Sequence, residues 1–190
     1  KTKLIIMKSY KALKNQEFSF GDFKLVPIRE IDKFLIMSWR NEQIDYLRQD
    51  KILTKNDQLN YFKNTISKLY NQTFPDQLLF SLLKKNICIG YGGLVHINWI
   101  DKNAEISFIM DTKLEKNHFT ELWTVFLNIL NQIAFKELCF NKIYTYAFDL
   151  RPNLYDILEN CGYTKEAVLK NHIKFKSVFK DIVIHSKFNV

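Results

Sequence analysis

A chain of 190 residues that is 47% hydrophobic and 15% aromatic is long enough to fill one core and short for two, so one domain is expected. No run of about 18 apolar residues is present to span a membrane, no leader pattern with a small-residue cleavage site opens the chain, and a cytoplasmic protein is expected. The formal charge of +8 favours an anionic partner, a polyphosphate cofactor or nucleic acid, but charge alone usually marks a solvated surface and does not make nucleic acid the expected partner.

Cys88, Cys139 and Cys161 are odd in number, lie in apolar contexts and lack metal-ligand spacing. They read as reduced core residues, and neither zinc nor disulfides are expected. Residues 1–20 are polar and weakly patterned and read as an N-terminal extension to a domain spanning 21–190, the six residues before Met7 being upstream sequence. Phe23 to Ile28 is the first strand, stopped by Pro27 and the charged Arg29-Glu30 pair. Ile31 to Asn41 follows as a short helix that continues brokenly to Leu47. Thr54 with Asp57 signals a capped helix start, and Leu59, Phe62, Ile66, Leu69 and Tyr70 supply its apolar stripe. Gln77 to Leu83 is a strand, with Lys85-Asn86 turning into the central hairpin.

The chain is organised around Ile87 to Leu138: strands ICIGYGGLVHIN and AEISFIM, joined by Asp101-Lys102-Asn103, and then a long helix. Phe119, Leu122, Trp123, Phe126, Leu127, Leu130, Ile133, Ala134 and Leu138 fall at spacings of 3 and 4 and draw one wide stripe for burial on a sheet. The connection from Met110 to Phe119 carries the polarity and is a strand-to-helix corner, where open α/β sheets hold phosphorylated ligands. With a tight turn, His96, Asn98, Glu105 and Ser107 share one polar face, a candidate reaction centre unless that face is simply solvated sheet. Gly90, Gly92 and Gly93 put three of five glycines in one strand, which asks for a bulge or a close approach to the backbone. Lys142 to Phe148 is β in composition, Pro152 opens a helix to Asn160, Gly162 stops it, and Glu166 to Phe175 with Asp181 to Phe188 closes the chain as a hairpin. The basic and aromatic run from Lys174 to Lys180 suits a nucleic-acid surface or an ordinary basic hairpin. His172 and His185, isolated on strands, read as satisfied structural residues.

The order β, α, α, β, β, β, α, β, α, β, β, with CIGYGGL followed by AEISFIMD, the long helix and KIYTYAFDLRPNLYDILENCGYTKEAVL, resembles the GNAT superfamily of acyl-CoA-dependent N-acetyltransferases from Phe23 to Phe188. Cys161-Gly162-Tyr163 stands where that family has Leu-Gly-Phe. The resemblance implies an α/β (α+β) domain with a mixed, mostly antiparallel sheet of about seven strands flanked by about four helices. It implies acetyl-CoA as cosubstrate and a small-molecule amine as acceptor, in a monomer or homodimer. Trp39-Arg40-Asn41 is similar to branches that acetylate nucleotide-linked amino sugars or ribosomal proteins, and the first of these is the preferred expectation. A protein N-terminal acetyltransferase, or a binding module that has kept the fold and lost the transfer, are the alternatives.

The family places a glycine-rich loop at the start of its long helix, where bare amides hold the CoA diphosphate. Here Glu115-Lys116-Asn117-His118-Phe119-Thr120 has no glycine. An altered CoA site, a different acyl donor and a lost cofactor all remain open. Lys116, Asn117, His118 and Thr120, which can all hydrogen-bond phosphate, favour retained acyl-CoA. The resemblance places the cofactor along Phe108, Ile109 and Met110, at Lys116 to Thr120, and at Asn153. A primary amine must lose a proton to attack a thioester, so Glu105 and His96 are the candidate bases and Tyr155 the candidate proton donor to the leaving thiolate. Trp39, Arg40, Asn41, Arg48 and Asn98 are the candidate acceptor contacts. Among the arginines, Arg40, Arg48 and Arg151 offer the donor fork that a nucleotide-sugar diphosphate needs.

Overall fold

The computed structural model describes residues 8–189, so the reading of the first six residues lies outside it. Nine strands form one sheet: β1 (Phe18–Phe20), β2 (Phe23–Pro27), β3 (Leu78–Lys84), β4 (Ile87–Asn98), β5 (Asn103–Met110), β6 (Lys142–Thr145), β7 (Ala147–Phe148), β8 (Thr164–Phe175) and β9 (Val178–Phe188). Their spatial order is β1-β2-β3-β4-β5-β6-β9-β7, with β8 added on β9. All neighbours are antiparallel except β5 and β6, which the long helix joins as a crossover. Four helices flank the sheet: α1 (Lys33–Glu42), α2 beginning as Lys55–Tyr61 and running through a π-helical turn to Ser67–Leu69, α3 (Thr112–Asn131) with a π-helical end at Gln132–Glu137, and α4 (Asn153–Asn160).

Local chemistry sets these elements. The Thr54 hydroxyl accepts from the Asp57 amide while the Asp57 carboxylate accepts from the Thr54 amide, a reciprocal cap that starts α2. The apolar stripe of α3 lies on the sheet, with the Phe126 ring stacked on Phe108 at 4.0 Å between centroids. A Cβ at Gly92 would stand 2.1 Å from the Ser107 carbonyl oxygen and 3.0 Å from the Phe126 ring, so the glycine lets β5 and α3 close over β4. This is the close approach that the glycine-rich strand asked for.

The structure corrects several expectations. Among the described residues the sheet has nine strands where about seven were expected, in part because residues 8–20 join the fold. Tyr10 is 1% exposed, stacks on Tyr70 and donates through its hydroxyl to the Leu79 carbonyl at 2.7 Å, and β1 lies within the segment read as an extension. Helix α3 begins at Thr112, capped by the Asp111 carboxylate on the Lys113 amide, so the expected corner before Phe119 is already helix. Cys88 is buried but Cys139 is exposed, at a backbone φ of 53° just after α3. His185 is fully buried, and among the described residues neither ring nitrogen has a hydrogen-bond partner, the Glu159 carboxylate standing 3.8 Å from Nε2, so it is not a satisfied histidine.

One topological feature makes the site. Strands β5 and β6 pair only over Asn103–Ile106 and Lys142–Thr145. Strands β6 and β7 then keep a single register along β9, from Lys142 opposite Phe188 to Phe148 opposite Ile182. The strand therefore stays with β9 and parts from β5. Among the described residues, Ser107 to Met110 has no strand neighbour on that side.

Candidate active site

The parted strands open a cavity of about 380 Å³. Strand β5 contributes Glu105, Ser107, Phe108 and Ile109, the splayed strand contributes Thr145 to Phe148, and α1 with the following turn contributes Arg40, Gln43, Tyr46 and Arg48. Glu105 sits at its base with 6% exposure. One carboxylate oxygen pairs with Nη2 of Arg48, and the other lies 3.9 Å from Nε2 of His96. The Arg48 guanidinium lies over the Tyr146 ring at 4.8 Å, so the aromatic face and the buried carboxylate together fix its position.

A β-bulge brings His96 to Glu105. The register places Val95 opposite Glu105 and Asn98 opposite Asn103, three steps on β4 against two on β5. His96 takes up the extra residue with a φ of 49°, a left-handed conformation that histidine tolerates better than most residues. The polar face drawn from alternation thus gathers His96, Glu105 and Ser107 at one cavity, through a bulge and not through regular pairing. Asn98 is not brought there. It caps the hairpin turn, donating to Asp101 Oδ2 at 2.8 Å and accepting from the amides of Ile100 and Asp101.

The other candidate acceptor residues divide by role. Trp39 is 4% exposed and belongs to the core. Asn41 organises the loop after α1: its amide nitrogen donates to the Leu53 carbonyl, and its oxygen accepts from the Leu53 amide and from Gln49. Arg40 lines the cavity, donating from Nη1 to the Tyr91 hydroxyl at 2.7 Å and from Nε to Gln49 Oε1 at 3.0 Å.

A second cavity of about 440 Å³ adjoins the first, lined by Lys116, Asn117, Phe119 and Thr120 of α3 and by Leu150 to Asn153. Tyr46 and Arg151 line both cavities and stand between them. Arg151 is held from three sides: Nη2 lies 2.8 Å from Glu115 Oε1 and 3.3 Å from Gln43 Oε1, and the guanidinium carbon lies 3.5 Å from the Tyr46 ring centroid. Of the expected cofactor contacts, Phe108 and Ile109 line the first cavity and Lys116, Asn117, Phe119, Thr120 and Asn153 the second. The Met110 carbonyl accepts from Gln43 Nε2 at 2.9 Å. His118 lies outside both cavity linings, and its Nδ1 is 2.8 Å from Glu121.

Tyr155 is outside the cavities as well. Its hydroxyl donates to Asp149 at 2.8 Å and its ring stacks on His185. Burial, reinforced by Asp149, pushes the phenol well above its usual range and makes it a weak proton donor. Gln43 and Tyr46 carry no sequence signal for a site, and neither does Tyr91, a core residue that touches the site only through Arg40; the folded contacts alone reveal them.

These residues fit an acyl-CoA. The open edge of β5 offers backbone groups to an extended chain, and Lys116, Arg151, Asn153 and Thr120 offer phosphate contacts in the adjoining cavity. The residues from Glu115 to Thr120 lie within α3, so a phosphate placed there would meet side chains and not a nest of bare amides.

Comparison with known proteins agrees with this geometry. Residues 25–184 match the model of the acetyltransferase (GNAT) domain. The spermidine N-acetyltransferase from Vibrio cholerae, in complex with CoA and spermine, superposes with a TM-score of 0.75, covering 90% of this chain and 97% of its own at 18% identity. The dodecameric form of the V. cholerae spermidine N-acetyltransferase gives 0.70, over 90% of this chain and 95% of its own, also at 18% identity. No curated protein matches the sequence significantly. At such identities the structural likeness speaks for the fold, while the domain match spans most of the chain: the chain belongs to the GNAT family and is an acetyl-CoA-dependent N-acetyltransferase.

Proposed function

We propose that this enzyme acetylates the primary amine of an acceptor that also carries negative charge, a nucleotide-linked amino sugar being the preferred class, with Glu105 as general base. Acetyl-CoA supplies a thioester whose acyl carbon the amine attacks. The observation that carries the reading is the buried Glu105 carboxylate at the base of the cleft where β5 and β6 part, with Arg48 on one oxygen and His96 beside the other. Arg48 orients the carboxylate, and the oxygen nearer His96 is left to accept a proton from the amine, directly or through the imidazole. The acceptor class follows from charge. With Arg48 paired to Glu105 and Arg151 to Glu115, Arg40 is the cavity arginine left without a carboxylate partner among the described residues, which suits a phosphate-bearing amine.

Glu105→Gln keeps the shape and removes the proton acceptor, and turnover with an authenticated amine should fall roughly 10²-fold or more. His96→Asn is the parallel measurement. Wild-type rates in both variants would move the base elsewhere, and no acetyl-CoA binding by calorimetry at millimolar cofactor would leave a binding module that has kept the fold.

A further inference from the structure

Three arginines line the cleft, and their partners differ. Arg48 is neutralised by Glu105 and Arg151 by Glu115. Arg40 has no carboxylate within ion-pair distance among the described residues, although it is half-buried and lines the cavity. Its two protein acceptors, the Tyr91 hydroxyl and Gln49 Oε1, are neutral. A guanidinium has five N–H donors. The bonds from Nε and Nη1 use two of them, and both hydrogens of Nη2 and the second of Nη1 have no acceptor among the described residues. Charges withdrawn from water are ordinarily paired, so an unmatched half-buried guanidinium facing a cavity marks the place of an anion.

The surroundings hold this fork in place before any ligand arrives. Gln49, which accepts from Nε, is itself fixed through Nε2 by Asn41 Oδ1 and the Lys51 carbonyl, each at 3.0 Å. Asn41 in turn pins both backbone groups of Leu53. Tyr91 is buried in β4 among core neighbours. Little side-chain freedom then remains to be lost when an oxyanion docks.

We infer that Arg40 is the anchor for an oxyanion of the acceptor, its open Nη edge gripping two phosphate or carboxylate oxygens, while Arg48 and Arg151 serve the carboxylates Glu105 and Glu115. The inference rests on the acceptor reading above and names the residue that selects the acceptor. It assigns Asn41 and Gln49 as positioning residues for that guanidinium.

The test has a binding arm and a turnover arm. Calorimetric titration uses UMP and pyrophosphate as phosphate probes and succinate as the carboxylate probe, with saturating CoA present to occupy the second cavity. Arg40→Gln should weaken the preferred probe at least 10-fold, while Lys68→Gln, at an exposed lysine of α2 outside both cavity linings, should leave it unchanged; whichever probe class binds identifies the oxyanion. Equal dissociation constants for wild type and Arg40→Gln, or no binding of any probe to wild type at millimolar concentration, overturn the proposal. If Arg40→Gln fails to fold by circular dichroism, Arg40→Lys keeps the charge, loses the fork and should still weaken binding several-fold; unchanged binding in it counts against the fork. In turnover, galactosamine 1-phosphate should exceed galactosamine at least 10-fold in kcat/KM, and Arg40→Gln should bring that ratio near one, chiefly through KM. Transfer to both amines at equal rates leaves the transferase reading intact and removes the anchor. Arg40-dependent anion binding with no amine acetylated keeps the anchor and removes the acceptor reading.

Discussion

At Gly92 the absence of a side chain has a directional consequence. Its missing Cβ faces the Ser107 carbonyl on β5, itself a wall of the cleft, and the ring of Phe126 on α3. Gly92→Ala should therefore do two things: lower stability by about 1–3 kcal/mol through overpacking, and displace Ser107 with its open strand edge, so that KM for acetyl-CoA rises in the surviving protein. Thermal melting and steady-state kinetics check both, and an unchanged melting temperature would mean that β5 yields without strain. The bulge at His96 works at the same scale. One extra residue brings an exposed imidazole beside a buried carboxylate, and the glycine run before it asks for a bulge without saying where it falls.

At the scale of the element, α3 decides how phosphate can be held. Its start at Thr112 makes His118 and Thr120 interior helical positions. His118→Gly together with Thr120→Gly should then cost about 1 kcal/mol of helix stability at each site and should not create a phosphate loop. A tighter acetyl-CoA affinity in the double variant, measured by calorimetry, would contradict this. The reason the start escaped the sequence is physical: residues 112–118 are mostly solvent-facing and polar, which looks like a loop until the Asp111 cap is weighed. The buried stripe from Phe119 onward was legible because burial on a sheet imposes the helical period directly. The glycines of β4 were legible as a request for close approach, and Glu105 with His96 as a polar pair. The splay of β6 from β5 was not, because it depends on the register that β6 and β7 keep with β9, some 40 residues further along the chain. Tyr10 and Leu13 were missed for a related reason: two isolated apolar residues in a polar segment carry no period.

At the scale of the whole molecule, β9 is the strand that joins the two ends of the site. It pairs with β6, β7 and β8, and the hairpin it shares with β8 reaches back to the turn after α1, where Lys176 lies 2.9 Å from Asp45. Across this junction Glu166 on β8 is held below the usual carboxylate range by the Lys142 ammonium and then by the Ser186 hydroxyl. A carboxylate depressed in the fold stabilises it above the unfolded value, about 4.3, and loses that contribution as pH falls through the lower folded value. Acid should therefore loosen the β8–β9 hairpin from β6, read as faster amide exchange in β8 below about pH 4, and Glu166→Gln should show that exchange already at neutral pH. The place of β9 in the sheet also bears on synthesis. Strand β9 leaves the ribosome after the other strands of the sheet, yet it lies inside the sheet, between β6 and β8, and sets how β6 leaves β5. A nascent chain can assemble β1 to β5 and seat α3 beforehand, but the cleft takes its shape only when β9 docks, so a copy made only as far as β8 is a folded half with no working pocket.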